Sequence, residues 1–459
     1  MKKLLALVLS LVLVFGLIAC NNSPKTTTDD VAGNEGSQHE SPDTKGEEAT
    51  IATEITNPVE IEFWHAMSGA SGEALQKLTD DFNATHDNIT VKLVNQGGYR
   101  DLFDKLMGAA KANQLPAITQ IYSNRLSWYV SKGLVEDLNP YMENEKIGLT
   151  KTEIEDFPKL FLDDGIWDGK QYAMPFNKSQ MVLYYNVDML KEAGVEVPTT
   201  WEEWKEAARK LTVDEDGNGE PEIYGLVLAN NLSTDIAPWV KQAGGEIISE
   251  EKDKVNFDTP ETKEAVEFLN SMIQEKIARL AGEDKNANVP LQQGRAAMCV
   301  ASTSSIPYIE KDSIEGLNWF AAPLPGHKSN DQLFYGTNVA VFNTLSPEEK
   351  LAAWEYTKFL TSAESTAFFS QQTGYLPVRK SVQELDDYKK FLEEKPVKAI
   401  SFPSMEIGFQ GARNIGEINA LDVLGEELDL VFSNEKSIDD ALKAAQERGE
   451  RAMQEARNN

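Results

Sequence analysis

The chain has 459 residues, too many for one hydrophobic core and suited to two domains or three. Its 41% hydrophobic and 26% charged residues are those of an ordinary globular protein. A net charge of −30 disfavours a nucleic-acid binder, which would be basic, and means that any anionic ligand must meet a local cluster of positive groups.

At the N-terminus, Lys2 and Lys3 precede the apolar run LLALVLSLVLVFGLIA, which stops abruptly at Cys20. The run is too short for a membrane span and reads as a signal peptide over residues 1–19. The stretch LIAC, followed by Asn21 and Asn22, resembles the bacterial lipobox, where cleavage precedes the cysteine and its thiol carries a diacylglycerol. Several acyl chains on one residue hold a protein stably at a membrane surface, whereas one chain is marginal. The protein is therefore expected as a lipoprotein, anchored through Cys20 on the extracellular face of the cell membrane. Residues 20–56 are polar and almost free of aromatics. They cannot bury enough apolar area to offset their ordering entropy, and predict a lipidated, disordered tether. Once Cys20 is lipidated, Cys299 in AAMCVA has no partner, so a buried thiol and no disulfide are expected.

The body begins near Pro58. VEIEFWH alternates like a strand, GEALQKLTDDFNATH carries Leu75, Leu78 and Phe82 at helical spacing, and NITVKLVN, YRDLFDKLMGAAKANQ and PAITQIY continue the alternation. Strand, helix, strand, helix, strand predicts a parallel sheet with right-handed crossovers. GKQYAMPF and MVLYYNVDML read as strands or strand ends, separated by the polar residues Asn177, Lys178, Ser179 and Gln180. TWEEWKEAARKL predicts a helix capped by Thr200. Further α/β units follow: YGLVLA, PETKEAVEFLNSMIQEK, RAAMCVA, NWFAAPLP and TNVAVFN. SPEEKLAAWEYTKFLTSA predicts a helix with Ser346 and Glu348 in a capping box, and the chain is largely helical from Asn414 on. Open α/β sheets bind ligands beyond the carboxyl ends of their strands, and a cleft between two such domains is a small-molecule site.

Little points to catalysis. The sequence has no HExxH, GxSxG, CxxC or P-loop pattern, and none of the four histidines has a nucleophile marked beside it. DEDGNGEPE (214–222) is more specific. Asp214, Asp216 and Asn218, with Gly219, match the first half of an EF-hand loop and suggest a structural Ca²⁺, although Gly225 stands where the bidentate glutamate belongs. A plain acidic turn is the alternative.

From Pro58 onward the chain resembles the extracellular solute-binding proteins, family 1, of ABC importers, and within them the glycerol-3-phosphate-binding subgroup. FWHAMSG, MPFNKSQMVLYYNVDMLKEAG, GRAAMCVASTSS, QQTGYLPV and QGARNIGEINALDVLGEEL carry the resemblance in order. It implies a two-lobed type II periplasmic-binding-protein fold, α/β in each lobe, with a central sheet flanked by helices and ligand in the interlobe cleft. The N-lobe would comprise 57–176 and 337–373, the C-lobe 180–335 and 376–459. The segment at Asn177–Gln180 would be the first crossing between lobes, its polar groups on the cleft floor.

Carried over residue by residue, the resemblance implies ligand contacts at Tyr99, Ser179, Ser302 or its neighbour Thr303, Gly336, Tyr375 and Arg413. A guanidinium suits phosphate because its planar fork engages two oxygens. The subgroup has an acidic residue where this chain has Ser123, which leaves room for a glycerophosphodiester or a sugar as well as glycerol-3-phosphate. Trp64 and Trp239 are further candidates, for stacking on a sugar face. The implied protein is not an enzyme and requires no cofactor. It is a monomer that closes on its solute and delivers it to the transmembrane subunits of an ABC permease.

Overall fold

The computed structural model describes residues 51–251 and 253–458. The expected signal peptide, Cys20 and nearly all of the expected tether lie outside these. The first five regular elements are β1 (Val59–His65), α1 (Gly69–Thr85), β2 (Ile89–Asn95), α2 (Tyr99–Ala112) and β3 (Ile118–Ile121), with α3 (Ser123–Ser131) following directly. In β1 the alternation turns Ile61, Phe63 and His65 inward and leaves Glu60 and Glu62 outside. β1 lies between β2 and β3 and is parallel to both, with α1 and α2 as the crossovers the alternation predicts.

The next strand departs from expectation. The sequence suggests two strands interrupted by a polar segment; the structure has one continuous strand of 14 residues, β4 (Ala173–Asn186). Beyond it come α4 (Trp201–Leu211), β5 (Tyr224–Leu228), α5 (Pro260–Gln274), β6 (Ala278–Leu280), β7 (Ala296–Ser302), β8 (Trp319–Pro323) and β9 (Gln332–Val341). The chain ends with α6 (Pro347–Leu360), α7 (Glu417–Phe432) and α8 (Ile438–Asn458), among shorter helical turns. Thr200 caps α4 by accepting from Glu203 N, and Ser346 caps α6 in a capping box whose partner is Glu349, one residue beyond the expected Glu348. Cys299 is a buried free thiol.

One mixed sheet runs in the order β6-β5-β7-β4-β9-β3-β1-β2, with β8 also on β4. The first half of β4 pairs antiparallel with β9 (Ala173↔Ala340 to Gln180↔Phe334), the second half with β7 and β8. The apolar ends of β4 serve different cores. Met174 and Phe176 join Phe63, Phe82, Trp354 and Tyr356; Met181 and Leu183 join Trp204, Trp239, Phe257 and Leu424. The polar residues 177–180 occupy the span between, so the strand continues while the hydrophobic core does not.

The antiparallel pair β4–β9 shifts register between Gly336 and Asn338. Gly336 has φ +141, and a Cβ there would stand 2.1 Å from the Asn177 carbonyl oxygen. Only glycine fits this crossing. Gly336→Ala is expected to cost at least about 1–3 kcal/mol, read as a lower unfolding midpoint; an unchanged midpoint would mean that the two strands separate freely here.

Candidate functional site

A cavity of about 470 Å³ opens beside the β4–β9 crossing. Its wall carries Tyr122, Ser123, Asp164, Tyr335 and Gly336, together with Asp235, Lys241, Glu250, Phe409 and Glu417. Ser123 opens α3, where its hydroxyl accepts from Asn338 Nδ2 at 3.2 Å. Glu417 opens α7 after Gly416, which takes the left-handed conformation at φ 84.

The four polar residues of β4 are all partnered. Asn177 Oδ1 accepts from Gln120 Nε2 at 2.8 Å and from the Thr337 hydroxyl, and Asn177 Nδ2 donates to the Tyr99 hydroxyl oxygen at 3.1 Å. Lys178 Nζ donates to Asp164 Oδ2 at 2.6 Å, both side chains being buried. Ser179 Oγ donates to the Tyr335 carbonyl at 3.3 Å, and Gln180 Nε2 to Gln332 Oε1 at 3.2 Å. This explains why the strand is not interrupted: each of the four side chains finds at least one bond within the crossing, although Gln180 Oε1 is buried without one.

Tyr99 receives a second donor, Gln120 Nε2, at 3.2 Å. With two donors on its oxygen, its own O–H is directed to the Tyr375 hydroxyl, with which it is hydrogen-bonded. Burial raises both phenols; Tyr375 adds to this for Tyr99, while the hydrogen bond from Tyr99 opposes it for Tyr375, and both remain neutral. Ser302 is hydrogen-bonded to Tyr335. Its Oγ also caps the following turn, accepting from Ser304 N at 3.1 Å and the Ser304 hydroxyl at 2.9 Å, while its neighbour Thr303 is buried with Oγ1 accepting from Gln180 N at 3.3 Å.

The sequence candidates therefore divide. Ser123 and Gly336 line the cavity, while Tyr99, Ser179, Ser302 and Tyr375 converge behind Tyr122 and Tyr335. Arg413 does not itself line the cavity: it follows the lining residue Ala412 and pairs with Glu250, Nη2 to Oε1 at 2.5 Å. The two tryptophans are a correction. Trp239 is 1% exposed in the core, its ring stacked 6.0 Å from that of Trp204. Trp64 donates from Nε1 to Glu62 at 2.9 Å and packs against Leu102 and Ile121. Trp239 is placed by apolar burial, the commoner fate of an aromatic, and half-buried Trp64 does not line the cavity. His65 is likewise a neutral structural acceptor, pushed down to about 4 by burial while its Nδ1 accepts from Met67 N at 3.2 Å.

Residues 77–394 match the family described as bacterial extracellular solute-binding protein. The chain belongs to that family. It is 26% identical over 415 residues to the sn-glycerol-3-phosphate-binding periplasmic protein UgpB of Rhizobium meliloti, covering 87% of this chain and 95% of the relative. It is 24% identical over 409 residues to UgpB of Escherichia coli O1:K1, covering 86% and 92%. Its fold is shared with two-lobed solved structures. UgpB of Mycobacterium tuberculosis in complex with glycerophosphocholine has a TM-score of 0.76 at 22% identity, covering 87% of this chain and 99% of that one. An ABC substrate-binding protein from Listeria monocytogenes in complex with cycloalternan also has a TM-score of 0.76 at 22% identity, covering 87% and 100%. The solute-binding protein is thus the substrate-binding part of an ABC importer and not an enzyme. Among the described residues, no helix is long and apolar enough to cross a membrane.

Two features of this solute-binding protein were not legible beforehand. In the 214–222 loop the carboxylates that converge are Asp214, Asp216 and Glu222, with ligand oxygens within 4.8 Å of one another. Asn218 is drawn off, because its Oδ1 accepts from Glu220 N at 2.6 Å and its Nδ2 donates to Asp216 Oδ2 at 2.9 Å. In the cavity, Asp235 and Glu417 are carboxyls without a cation partner among the described residues. Burial pushes Asp235 up to about 7 and Glu417 up to about 8; for Glu417 this outweighs a hydrogen bond from Asn124.

A carboxyl raised on folding holds its proton more tightly in the native state. Its stabilising contribution is full below the unfolded value and disappears as pH rises through the folded one. The unfolding midpoint of the ligand-free protein is therefore expected to fall between about pH 5 and pH 8, and to fall less steeply in Asp235→Asn/Glu417→Gln. Identical slopes in the two proteins would mean that these carboxyls are solvated.

Proposed function

We propose that this protein captures sn-glycerol-3-phosphate or a glycerophosphodiester by closure of two lobes and delivers it to an ABC permease. The observation that carries the reading is the convergence of the Tyr99, Tyr375 and Ser302 hydroxyls near Gly336 at the β4–β9 crossing, with Arg413 one residue beyond the cavity-lining Ala412. Neutral hydroxyl donors and one guanidinium suit a phosphoryl group. The names of the sequence relatives, and the glycerophosphocholine bound by the M. tuberculosis protein, support the same class.

The two apolar cores support a division at the β4 crossing, between 57–176 and 180–335, whereas Leu376 and Val378 join the first core, so the segment just after 376 packs with the 57–176 lobe. In the same reading Cys20 carries the lipid anchor and the protein is a monomer. A second reading, a neutral sugar or oligosaccharide, is favoured by the carboxyls of Asp235 and Glu417, which can accept sugar hydroxyls, and by the cycloalternan-bound structural neighbour.

A thermal-shift panel of sn-glycerol-3-phosphate, glycerophosphocholine and neutral sugars decides between them, since a ligand raises apparent stability by mass action. A phosphoester is expected to raise the midpoint. A rise with sugars alone would replace the first reading by the second. We further propose Ca²⁺ at Asp214, Asp216 and Glu222, whose oxygens suit a hard cation. Millimolar Ca²⁺ is expected to raise the midpoint of the wild type and not that of Asp216→Asn; equal responses would leave the loop a plain acidic turn.

A further inference from the structure

Lys398 is 7% exposed and does not line the cavity. Among the described residues it makes no ion pair; the carboxylate that acts on it, Glu310, is taken by Lys395 at 2.7 Å. Its Nζ donates instead to the Thr373 carbonyl. Val397 beside it packs with Val182, Tyr184 and Ile306, on the 180–335 side of the molecule. Thr373 ends the helix Ala363–Gln372, whose Phe369 packs with Phe63 and Phe176 on the other side. The bond therefore joins groups held by different cores. A cation suits this acceptor, because the last carbonyls of a helix carry its negative end. Burying an ammonium with no carboxylate partner nevertheless costs stability.

What the ammonium fixes is the backbone that carries Tyr375. Thr373 Oγ1 donates to the Phe369 carbonyl at 2.7 Å and accepts from Tyr375 N at 3.2 Å. Gly374 has no room for a side chain: a Cβ there would stand 2.0 Å from the Thr303 carbonyl oxygen. Leu376 N donates to the Lys178 carbonyl at 2.7 Å. The Tyr375 ring is stacked on that of Phe369, 5.9 Å between centres, and its hydroxyl is hydrogen-bonded to Tyr99 and Asn177. Rotating the Thr373–Gly374 peptide would turn the carbonyl away from Nζ and carry the tyrosine hydroxyl out of the cluster.

We propose that Lys398 is a positioning residue for the solute site: its ammonium fixes the Thr373–Gly374 peptide and so holds the Tyr375 hydroxyl against Tyr99. This deepens the phosphoester reading above and rests on it for the identity of the solute. Burial lowers Lys398 to about 8, opposed by Glu310 on the helix Ile306–Asp312 and assisted by Lys395 beside its own turn. The tie is therefore charged at neutral pH and loses its charge as pH rises through that value.

Titration calorimetry with sn-glycerol-3-phosphate and glycerophosphocholine tests this on the wild type, Lys398→Met, Tyr375→Phe and the double variant. At neutral pH Lys398→Met is expected to weaken binding about tenfold. In the Tyr375→Phe background the same change is expected to weaken it less than about twofold, because the group it acts through is gone. By about pH 9.5 the wild type approaches Lys398→Met, and the ratio of their affinities is expected to shrink at least about threefold; lost packing would leave it constant. Losses that add in the double variant, or a ratio that does not change with pH, overturn the role of Lys398 and leave the phosphoester reading intact. If neither probe binds the wild type, the phosphoester reading falls. Hydrogen exchange of the ligand-free wild type then decides on Lys398, as it does if a variant fails to fold. Protection of Leu376 N, relative to Leu226 N on the Ile277 carbonyl, is expected to fall at least about threefold over the same pH range. Constant relative protection means that the amine does not hold this segment, and overturns the proposal.

Discussion

Lys178→Met is expected to lower stability by about 3–5 kcal/mol, the cost of removing one partner from a buried ion pair. Lys178 is fully buried and Asp164 is 3% exposed, with 2.6 Å between Nζ and Oδ2. Burial alone would drive the ammonium towards its neutral form, and Asp164 opposes this by charge and hydrogen bond. Asp164 Oδ2 also accepts from Asn338 Nδ2 at 2.9 Å, so the pair ties β4 to β9 and to the turn preceding β4. Without the ammonium, the carboxylate keeps one neutral donor at a position only 3% exposed. Replacing both members, as in Lys178→Met/Asp164→Leu, is expected to recover much of the loss, because neither charge is then left alone. Urea unfolding of the two variants measures this. A loss below about 1 kcal/mol in Lys178→Met would mean that water enters the crossing and solvates Asp164.

The same pair indicates how much of the molecule was legible in the sequence. Apolar periodicity located β1, β2 and their helices because each buries one face; Leu75, Leu78 and Phe82 are all buried. Thr200 and Ser346 announced their helices by capping chemistry, which depends only on neighbours a few residues away. The continuity of β4 was not legible. Its four polar residues are bonded by Gln120, Asp164, Tyr335 and Gln332, each distant in sequence or reached only through strand pairing. The contrast between Trp239 and Tyr375 has the same origin. Both are aromatics in mixed surroundings, and only the fold decides which packs against Trp204 and which meets Tyr99. Asp235 and Glu417 gave no signal at all, because a carboxyl in a loop or first helical turn looks solvated until a cavity forms around it. The family motifs reached Gly336, which lines the cavity, because close backbone approach constrains residue type directly.

Arg413→Ala is expected to weaken phosphoester binding by about 2–5 kcal/mol, that is, by tens to thousands of fold. The guanidinium is already oriented. Nη1 donates to the carbonyls of Asp163 at 2.8 Å and Ile166 at 2.7 Å, and the group lies over the Trp167 ring, 5.1 Å from its centre. The remaining edge, Nη2 and Nε, faces Glu250 at 2.5 and 3.2 Å. A carboxylate and a phosphoryl group present the same pair of oxygens to that edge, so ligand and Glu250 compete for it. Two results follow from this exchange. Removing the guanidinium removes the charged grip on phosphate. Glu250→Gln, which weakens the competitor and leaves Arg413 in place, is expected to tighten binding. Titration calorimetry with sn-glycerol-3-phosphate and a glycerophosphodiester measures both, with the unfolding midpoint separating lost contacts from lost fold. A neutral-sugar binder would respond little to either change, having no anion to exchange for Glu250. If Arg413→Ala retains affinity and Glu250→Gln does not tighten it, the guanidinium belongs to the scaffold, and the phosphoester gives way to the sugar.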